Sequence, residues 1–520
     1  MKFKSIYIVA ASSLMLSLAA CEKQFTKENT NPTTVSADQF DPNFLLSTVQ
    51  LNYNGSQEYQ GENWTTEWGG IAGFIQHTAS TNTSFYYGDK YLYSPGSFAT
   101  YFVEGYPSQV QPVVELYQLT LNKPQYTNLH QMSRIMKALV FQRMTDIYGD
   151  VPYSQAGLGY YQRIYTPVYD KQQDIYADLL KEVSEAVDSL DESGDKPSGD
   201  LFYSADTTTQ IDKWKRFGNS LLVRIAMRLS KVDPQTAQQY VSKLEGQTMM
   251  SNDDNAIVQH NAGNFQNRDA YEINGQDSAD LKLCKTFIDT LKINNDPRLP
   301  DIAWIYATGD TKPQDQLGLP PGYIVGGLDS THDITKSHGL GYNADSLGMQ
   351  RYSRLTDKIL NLTAPNLVLT YAETEFLLAD AAEEFGTGDA QSHYNNAVLA
   401  AIAQFSVYGK GAAISDAKAN AYLAAHELST DKKTALDQIN TQYWICTLMD
   451  EYEAWSNWRR SGYPILHPTD YTGNITNGTI PRRMEYPADQ QFSNGANYKA
   501  AVARLPGGDE LTSRVWWDTK

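Results

Sequence analysis

Apolar residues recur at steps of three and four along much of this chain of 520 residues, and this spacing constrains its fold most strongly. Apolar positions three and four apart share one face of an α-helix, and that face must be covered by another element. The strongest pattern runs over 129–148 and is followed by Gly149, a residue suited to the left-handed turn that ends a helix. Further helices are predicted at 44–53, 64–78, 174–190, 213–231, 234–246, 366–385, 393–405, 434–458 and 497–503.

Several predicted helices follow one another across short turns. The neighbours are 129–148 with 171–190, 213–231 with 234–246, and 366–385 with 391–405. Pairs of this length are typical of tetratricopeptide-like units, although the strict signature of that repeat is absent. Long stretches rich in Gly, Asn, Asp, Pro and aromatic residues separate the pairs, at about 78–100 and 260–354. Loops this long are usually functional or disordered, and aromatic content argues against disorder, so the sequence predicts a mainly α scaffold carrying long irregular loops.

The first twenty residues have the features of a bacterial lipoprotein signal peptide. Lys2 and Lys4 precede an uncharged apolar stretch too short to span a bilayer comfortably, which ends in Leu-Ser-Leu-Ala-Ala-Cys at 16–21. This pattern predicts that residues 1–20 are removed and that Cys21 carries a lipid, although an ordinary secretory signal with an incidental cysteine is the alternative. The polar segment that follows resembles a flexible tether, so we divide the chain into a signal peptide (1–20), a lipidated tether (21–38) and one body (39–520).

Charge and cysteine content exclude several classes of protein. The formal net charge is −18, and so acidic a chain repels phosphates, which argues against a nucleic-acid partner. With 41% hydrophobic and 20% charged residues, the chain is neither a polytopic membrane protein nor wholly disordered. Beyond Cys21 the sequence contains only Cys284 and Cys446, too few for a disulfide framework. We expect two free buried thiols, and a single bridge between them stays open.

No enzyme signature is found in the sequence. His332 and His338 share a loop with Asp333, but their spacing matches no strong metal pattern. The chain has no nucleophile elbow and no phosphate-binding lysine loop. We therefore expect no catalytic residue, no metal site and no cofactor.

Two pairs of arginines stand among apolar residues. Arg224 and Arg228 lie one turn apart on a predicted helix, and Arg459 and Arg460 follow a pair of tryptophans. We expect both pairs to have structural roles, with ion-pair partners across a helix interface for the first pair.

Motifs spread in order along the chain resemble the SusD/RagB family of outer-membrane nutrient-binding lipoproteins from Bacteroidetes. After Cys21 come Asn31-Pro32 and then the stretches at 145–153, 174–180, 214–221, 369–379, 453–464, 480–487, 494 and 516–518. The first of these, Thr-Asp-Ile-Tyr-Gly-Asp-Val-Pro-Tyr, is a hallmark of the family. In one departure, Gln490 and Gln491 stand where many members carry a glutamate, which we expect to alter only a local contact.

The resemblance implies a fold of tetratricopeptide-like helix pairs in which irregular loops and minor β structure carry the ligand face. It also implies a lipoprotein on the outer face of the outer membrane, acting as the lid of a SusC-type TonB-dependent transporter. Members of this family bind glycans or peptides and are not enzymes.

Aromatic residues in the loops are the natural candidates for ligand contact, because the chain contains 35 tyrosines and rings suit stacking against sugars. The candidates are Tyr86, Tyr87, Tyr91 and Tyr93 in the first loop region, and Trp304, Tyr306 and Tyr323 in the second. Trp64 and Trp68 are assigned to the scaffold instead. Capture of an oligosaccharide is the leading hypothesis. The alternatives are capture of a peptide, a surface glycoside hydrolase or lyase, and a lid whose main role is assembly of the complex.

Overall fold

The computed structural model describes residues 40–55, 61–275, 280–326, 330–336, 340–342 and 347–519. The predicted signal peptide, Cys21, the tether and His338 therefore lie outside the described residues. Residues 43–520 form one unit.

Helices dominate this unit, and the α-helices of eight or more residues are numbered here in chain order. They are α1 Asn43–Asn52, α2 Pro95–Gly105, α3 Gln111–Thr120, α4 Thr127–Tyr148, α5 Gln172–Ser189, α6 Gln210–Arg228, α7 Pro234–Leu244, α8 Arg268–Gly275, α9 Lys285–Ile293, α10 Tyr371–Phe385, α11 Ala390–Ala403, α12 Asp416–Ala425, α13 Lys432–Cys446, α14 Glu451–Ser461 and α15 Gly495–Val502. Shorter α-helical segments are Ala72–Phe74, Gly159–Gln162, Leu299–Ile302 and Gln490–Ser493, and π-helical segments are Glu62–Ile71 and Tyr106–Val110.

The strands are short and form four antiparallel pairs in the described part of the chain. They are β1 Thr78–Ser80, β2 Val151–Pro152, β3 Tyr169–Asp170, β4 Ala256–Val258, β5 Leu281–Leu283, β6 Ala303–Trp304, β7 Arg354–Leu355 and β8 Asn366–Leu369. The pairs are β1 with β5, β2 with β3, β4 with β8, and β6 with β7.

Consecutive helices pack against each other, as the prediction of tetratricopeptide-like pairs requires. Helix α4 packs on α5, α5 on α6, α6 on α7, and α10 on both α11 and α13. Gly149 ends α4 with a φ of +84°, and its N–H donates to the Thr145 carbonyl at 2.7 Å. Gly218 allows α5 and α6 to approach closely, because a Cβ there would lie 2.3 Å from the Cγ2 atom of Val187. The predicted mainly α scaffold is confirmed.

Three predicted helices are wrong in their extent, and one of them, expected at 64–78, ends at Phe74 before strand β1 begins at Thr78. The single helix expected at 434–458 is two helices, α13 and α14, because Met449 has a φ of +82° and Asp450 caps α14 by accepting a bond from the Glu453 N–H at 3.2 Å. The first residues of the helix expected at 366–385 instead form β8, which pairs with β4. Thr370 then caps α10 through a bond from the Glu373 N–H to its hydroxyl at 3.1 Å. Both interruptions are capping sites that the apolar spacing alone does not distinguish.

The two regions expected to be loops contain regular structure as well. Strand β1 and the start of α2 lie within 78–100, and α8, α9 and three strands lie within 260–354. Helix α2 begins at Pro95, and proline is common both in loops and in the first turn of a helix, so its presence did not distinguish the two. Strands β1, β5, β6 and β7 thus lie in or at the edge of these insertions, whereas β2, β3, β4 and β8 lie outside them.

A buried network of ion pairs joins helices that are distant in sequence. Arg224 bonds to Glu373 at 2.6 Å, and Arg228 bonds to Glu453 at 2.5 Å and to Asp146 at 3.2 Å. Because both arginines are almost fully buried, these carboxylates compensate the cost of removing their charges from water.

The C-terminal segment completes this network. The indole N–H of Trp517 donates to Oδ1 of Asp146 at 2.9 Å. Arg459 lies 3.7 Å from the ring of Trp455, and Arg460 pairs with Asp380 at 2.8 Å. The structural roles expected for all four arginines are confirmed.

Both described cysteines are free thiols, so Cys284 and Cys446 form no bridge. Burial raises the pKa of each thiol to about 12.

Candidate functional site

Short strand pairs bring the two insertions together. Strand β1, at the start of the first insertion, pairs with β5 in the second, with Ala79 opposite Lys282. Strand β5 lies against β7, and β7 pairs with β6, which places Arg354 opposite Trp304. The aromatic candidates of both insertions therefore belong to adjoining parts of the structure.

Three candidates of the first insertion are buried in the core. Tyr86 and Tyr87 are each 2% exposed, and Tyr91 is fully buried. The ring of Tyr87 packs edge-on against Phe98 with a centroid distance of 5.3 Å, and burial raises the pKa of its hydroxyl well above the ordinary value. The hydroxyl of Tyr91 accepts a bond from the Thr469 N–H at 3.2 Å. These rings pack beneath the surface of the insertion, and their role in ligand contact stays a prediction.

The remaining candidate of the first insertion is at the surface. Tyr93 is 64% exposed, and its edge contacts Phe98 at a centroid distance of 6.2 Å. Phe85, which sequence reasoning missed, is 45% exposed and stacks on Trp64 at 5.0 Å. Trp68 is buried as expected, whereas Trp64 is only half-buried and shares the stack with Phe85.

The second insertion carries the most developed aromatic surface. Tyr306 is 49% exposed, and its ring meets that of Trp304 at a centroid distance of 5.6 Å and an angle of 75°. The guanidinium of Arg354 lies 4.4 Å from the centre of the Tyr306 ring. A cation over one ring face fixes the orientation of the ring. We call Trp304, Tyr306, Arg354 and the neighbouring Lys282 the Tyr306 face.

The last candidate belongs to a separate aromatic group. Tyr323 is half-buried and lies 6.2 Å from the ring of His332, which in turn contacts Tyr471 at 5.4 Å. Sequence reasoning did not link Tyr471 to this group, because it lies far along the chain and only the fold brings it close.

The Tyr306 face carries positive charge. Arg354 is 3% exposed and Lys282 is 2% exposed. Burial, together with the charge of Arg354, lowers the pKa of Lys282 to about 8. Burial likewise lowers the pKa of Arg354.

A separate cleft of about 680 Å³ lies between α9, the turn that follows it and α12. Its apolar wall includes Leu291, Leu299 and Tyr422, and the Tyr422 ring packs against His426 at a centroid distance of 4.2 Å and a tilt of 30°. None of the predicted ligand residues lines this cleft.

Two further properties concern metal ions and membranes. Within the described residues, no group of three or more His, Cys, Asp or Glu side chains is arranged to hold a metal ion. None of the helices in that same part of the chain combines the length and apolar character needed to cross a bilayer.

The architecture is that of an α-helical protein built on tetratricopeptide-like pairs with an aromatic surface on its insertions. A family model described as SusD-like, starch-binding and associating with the outer membrane matches residues 34–487. The chain belongs to this SusD-like family, as the order of its motifs predicts.

Solved structures are similar to this chain over nearly its whole length. One that is named a chitin-binding protein has 34% sequence identity and a TM-score of 0.80, and the match covers 92% of this chain and 100% of the other. A SusD-like protein named Bacteroidetes AC2a has 27% identity and a TM-score of 0.78 over the same shares. A SusD homolog from Bacteroides uniformis, at 23% identity and a TM-score of 0.72 over 92% of this chain and 99% of its own, is similar in fold. No curated protein matches the sequence.

Proposed function

We propose that this protein binds a glycan at the outer membrane and passes it to a SusC-type TonB-dependent transporter, for which it serves as the lid. The observation that carries the proposal is the half-exposed ring of Tyr306, held between Trp304 and Arg354. A fixed aromatic plane suits the C–H face of a sugar ring, while neighbouring donors bind its hydroxyl groups.

The family and its relatives support a sugar as ligand. The family is described as starch-binding, and a structure 34% identical to this chain is named a chitin-binding protein. The same comparison favours a binding protein over an enzyme.

The proposed location follows from the N-terminal sequence and the family. A lipid on Cys21 would anchor the chain, and the polar tether at 21–38 would allow the body to swing as a lid does. The family description adds association with the outer membrane. We further propose that the body faces the cell exterior, where polysaccharide is available.

Calorimetry against a panel of starch, chitin and other oligosaccharides tests the binding function. We expect at least one glycan to bind, and Tyr306→Ala to weaken that binding by about 10-fold or more, since loss of a stacked aromatic anchor costs about 2 kcal/mol. Tyr160→Ala is the matched control, because Tyr160 is also an exposed tyrosine (87%) but lies outside the Tyr306 face. Equal effects of the two substitutions would contradict the assignment of the site. Binding of peptides in place of glycans, or turnover of a bound polysaccharide, would refute the function itself.

The partnership with a transporter has its own test. Affinity purification of the lipidated chain from detergent-solubilised outer membranes should co-purify a TonB-dependent barrel in a stable ratio. Recovery of the chain alone under several mild detergents would refute the lid role and leave glycan binding standing.

A further inference from the structure

Lys282 is a buried cation at the centre of β5. Its neighbours Leu281 and Leu283 are packed in the core, and the alternation of a strand directs Lys282 to the opposite side. Only 2% of Lys282 is exposed, and its ammonium group makes no hydrogen bond or ion pair within the described part of the chain, although its Nζ atom is not among the fully enclosed atoms that lack an acceptor. A buried charge without a partner is costly, so its retention calls for a physical reason.

The other buried lysine of this region shows what a structural lysine looks like here. Lys90 is fully buried, and its ammonium pairs with Asp89 at 2.8 Å and also donates to the Ser80 carbonyl. The ammonium group of Lys90 thus has acceptors within the protein, whereas that of Lys282 has none among the described residues.

The charged groups around Lys282 do not supply the missing acceptor. Arg354 is its main charged neighbour and adds repulsion, while Asp280 is the acidic neighbour that acts on it. The carboxylate of Asp280 accepts a hydrogen bond from the Asn82 amide at 2.8 Å. Arg354 donates to the amide oxygen of Asn274 and lies over the ring of Tyr306.

A second unmatched donor lies on the same face. The indole N–H of Trp304 is buried without an acceptor. Trp304 stands opposite Arg354 in the β6–β7 pair, and its ring contacts that of Tyr306. The Tyr306 face thus presents two donors in need of acceptors beside a buried guanidinium and an exposed ring.

We propose that Lys282, Arg354 and Trp304 form an oxyanion subsite that holds the carboxylate or sulfate of an acidic sugar while its ring stacks on Tyr306. This inference rests on the proposed glycan-binding function and specifies the ligand class. A charge-assisted bond from a buried cation to an oxyanion is strong and directional, so the subsite selects acidic residues over neutral ones. Chitin lacks such a group, and the site is therefore tuned to a different polysaccharide from that named for the 34% identical structure.

Matched acidic and neutral ligands test this proposal by calorimetry on the purified protein. The pairs are oligogalacturonate with its methyl ester, and a sulfated galactan oligosaccharide with its desulfated form, with chitin oligosaccharide as a further neutral probe. We expect one acidic member to bind at least 10-fold more tightly than its neutral partner. The pair that shows this preference identifies the oxyanion as carboxylate or sulfate.

Substitutions then assign the preference to Lys282. Lys282→Met keeps an apolar stem of similar size and should bring the ratio of acidic to neutral affinity close to one. Lys410→Met removes one exposed lysine and is the control for net charge. Lys282→Arg should retain at least part of the preference. An unchanged circular dichroism spectrum and urea midpoint show that each variant is folded.

The outcomes separate this inference from the function on which it rests. Equal binding of acidic and neutral members, tighter binding of chitin, or an unchanged preference in Lys282→Met overturns the oxyanion subsite and leaves glycan binding intact. If no glycan of either kind binds, the proposed function fails, and the subsite fails with it.

Discussion

Arg228→Met should destabilise the protein severely, because Arg228 neutralises two carboxylates deep in the core. The guanidinium makes three bonds to carboxylate oxygens, at 2.5 and 2.6 Å to Glu453 and at 3.2 Å to Asp146. The carboxylate side chains are only 7% and 4% exposed, so removal of Arg228 leaves charge that water cannot reach. Breaking a buried pair in this way costs about 3–5 kcal/mol.

The matched control is Arg134→Met, which also removes an arginine bonded to two carboxylates. Arg134 pairs with Glu182 at 3.0 Å and with Glu185 at 2.6 Å, and the Glu185 side chain is 50% exposed. Water can solvate what remains, so the expected cost is about 0–1 kcal/mol. Urea unfolding followed by tryptophan fluorescence measures both, and with a slope of about 3 kcal/mol per M the Arg228 variant should lose about 1 M or more in midpoint.

The pH dependence supplies a second readout of the same reasoning. Burial raises the pKa of Glu453, but Arg228 and Arg224 more than offset this and hold it below its ordinary value. Its contribution to stability is therefore present at neutral pH and lost as the pH falls through the folded pKa. Without Arg228 the pKa values of Glu453 and Asp146 rise, and the penalty in the variant should shrink as the pH falls from 8 towards 5. Equal destabilisation by both substitutions, or a penalty independent of pH, would refute this account.

Two further predictions concern packing and the thiols. Gly218→Ala should lower the free energy of unfolding by about 1–3 kcal/mol in the same assay, because its Cβ would meet a valine methyl of the neighbouring helix at 2.3 Å. Gly495→Ala is the control and should be close to neutral, because open space surrounds that position. Equal effects of the two substitutions would contradict the packing argument. Cys284 and Cys446, with pKa values of about 12, should remain protonated at pH 8 and resist Ellman's reagent until the protein is unfolded. Cys446 is only half-buried, so the sharper test is Cys284, whose rapid labelling in the native protein would contradict its burial.

Sequence periodicity predicted the scaffold because helices are local. Helix α4 begins two residues before its predicted start and ends at the predicted residue. The break between α13 and α14 escaped prediction because Asp450 is tied to Arg143 at 3.1 Å, a contact between residues 307 positions apart. Apolar spacing continues across that break, and the signal that marks it is the local capping pair Asp450 and Glu453, not periodicity.

The candidate site was less predictable, because irregular segments have no period that separates inward from outward rings. Tyr87 and Tyr306 look alike in sequence, yet one is buried and the other is half-exposed. The alternation Leu-Lys-Leu at β5 is typical of a strand with its lysine in water, whereas Lys282 is only 2% exposed beside the neighbouring strand β7. Residue type alone indicates which side chains could stack on a sugar, but only the fold shows which of those side chains reach the surface.

The contact between Trp517 and Asp146 has a consequence for the timing of folding. The two residues are separated by 371 positions, so α4 leaves the ribosome long before its buried carboxylate meets this indole. Contacts so distant in sequence pay the entropy of closing a long loop before they return any stabilisation. The buried carboxylate of Asp146 therefore gains this donor only when the chain is complete to residue 517.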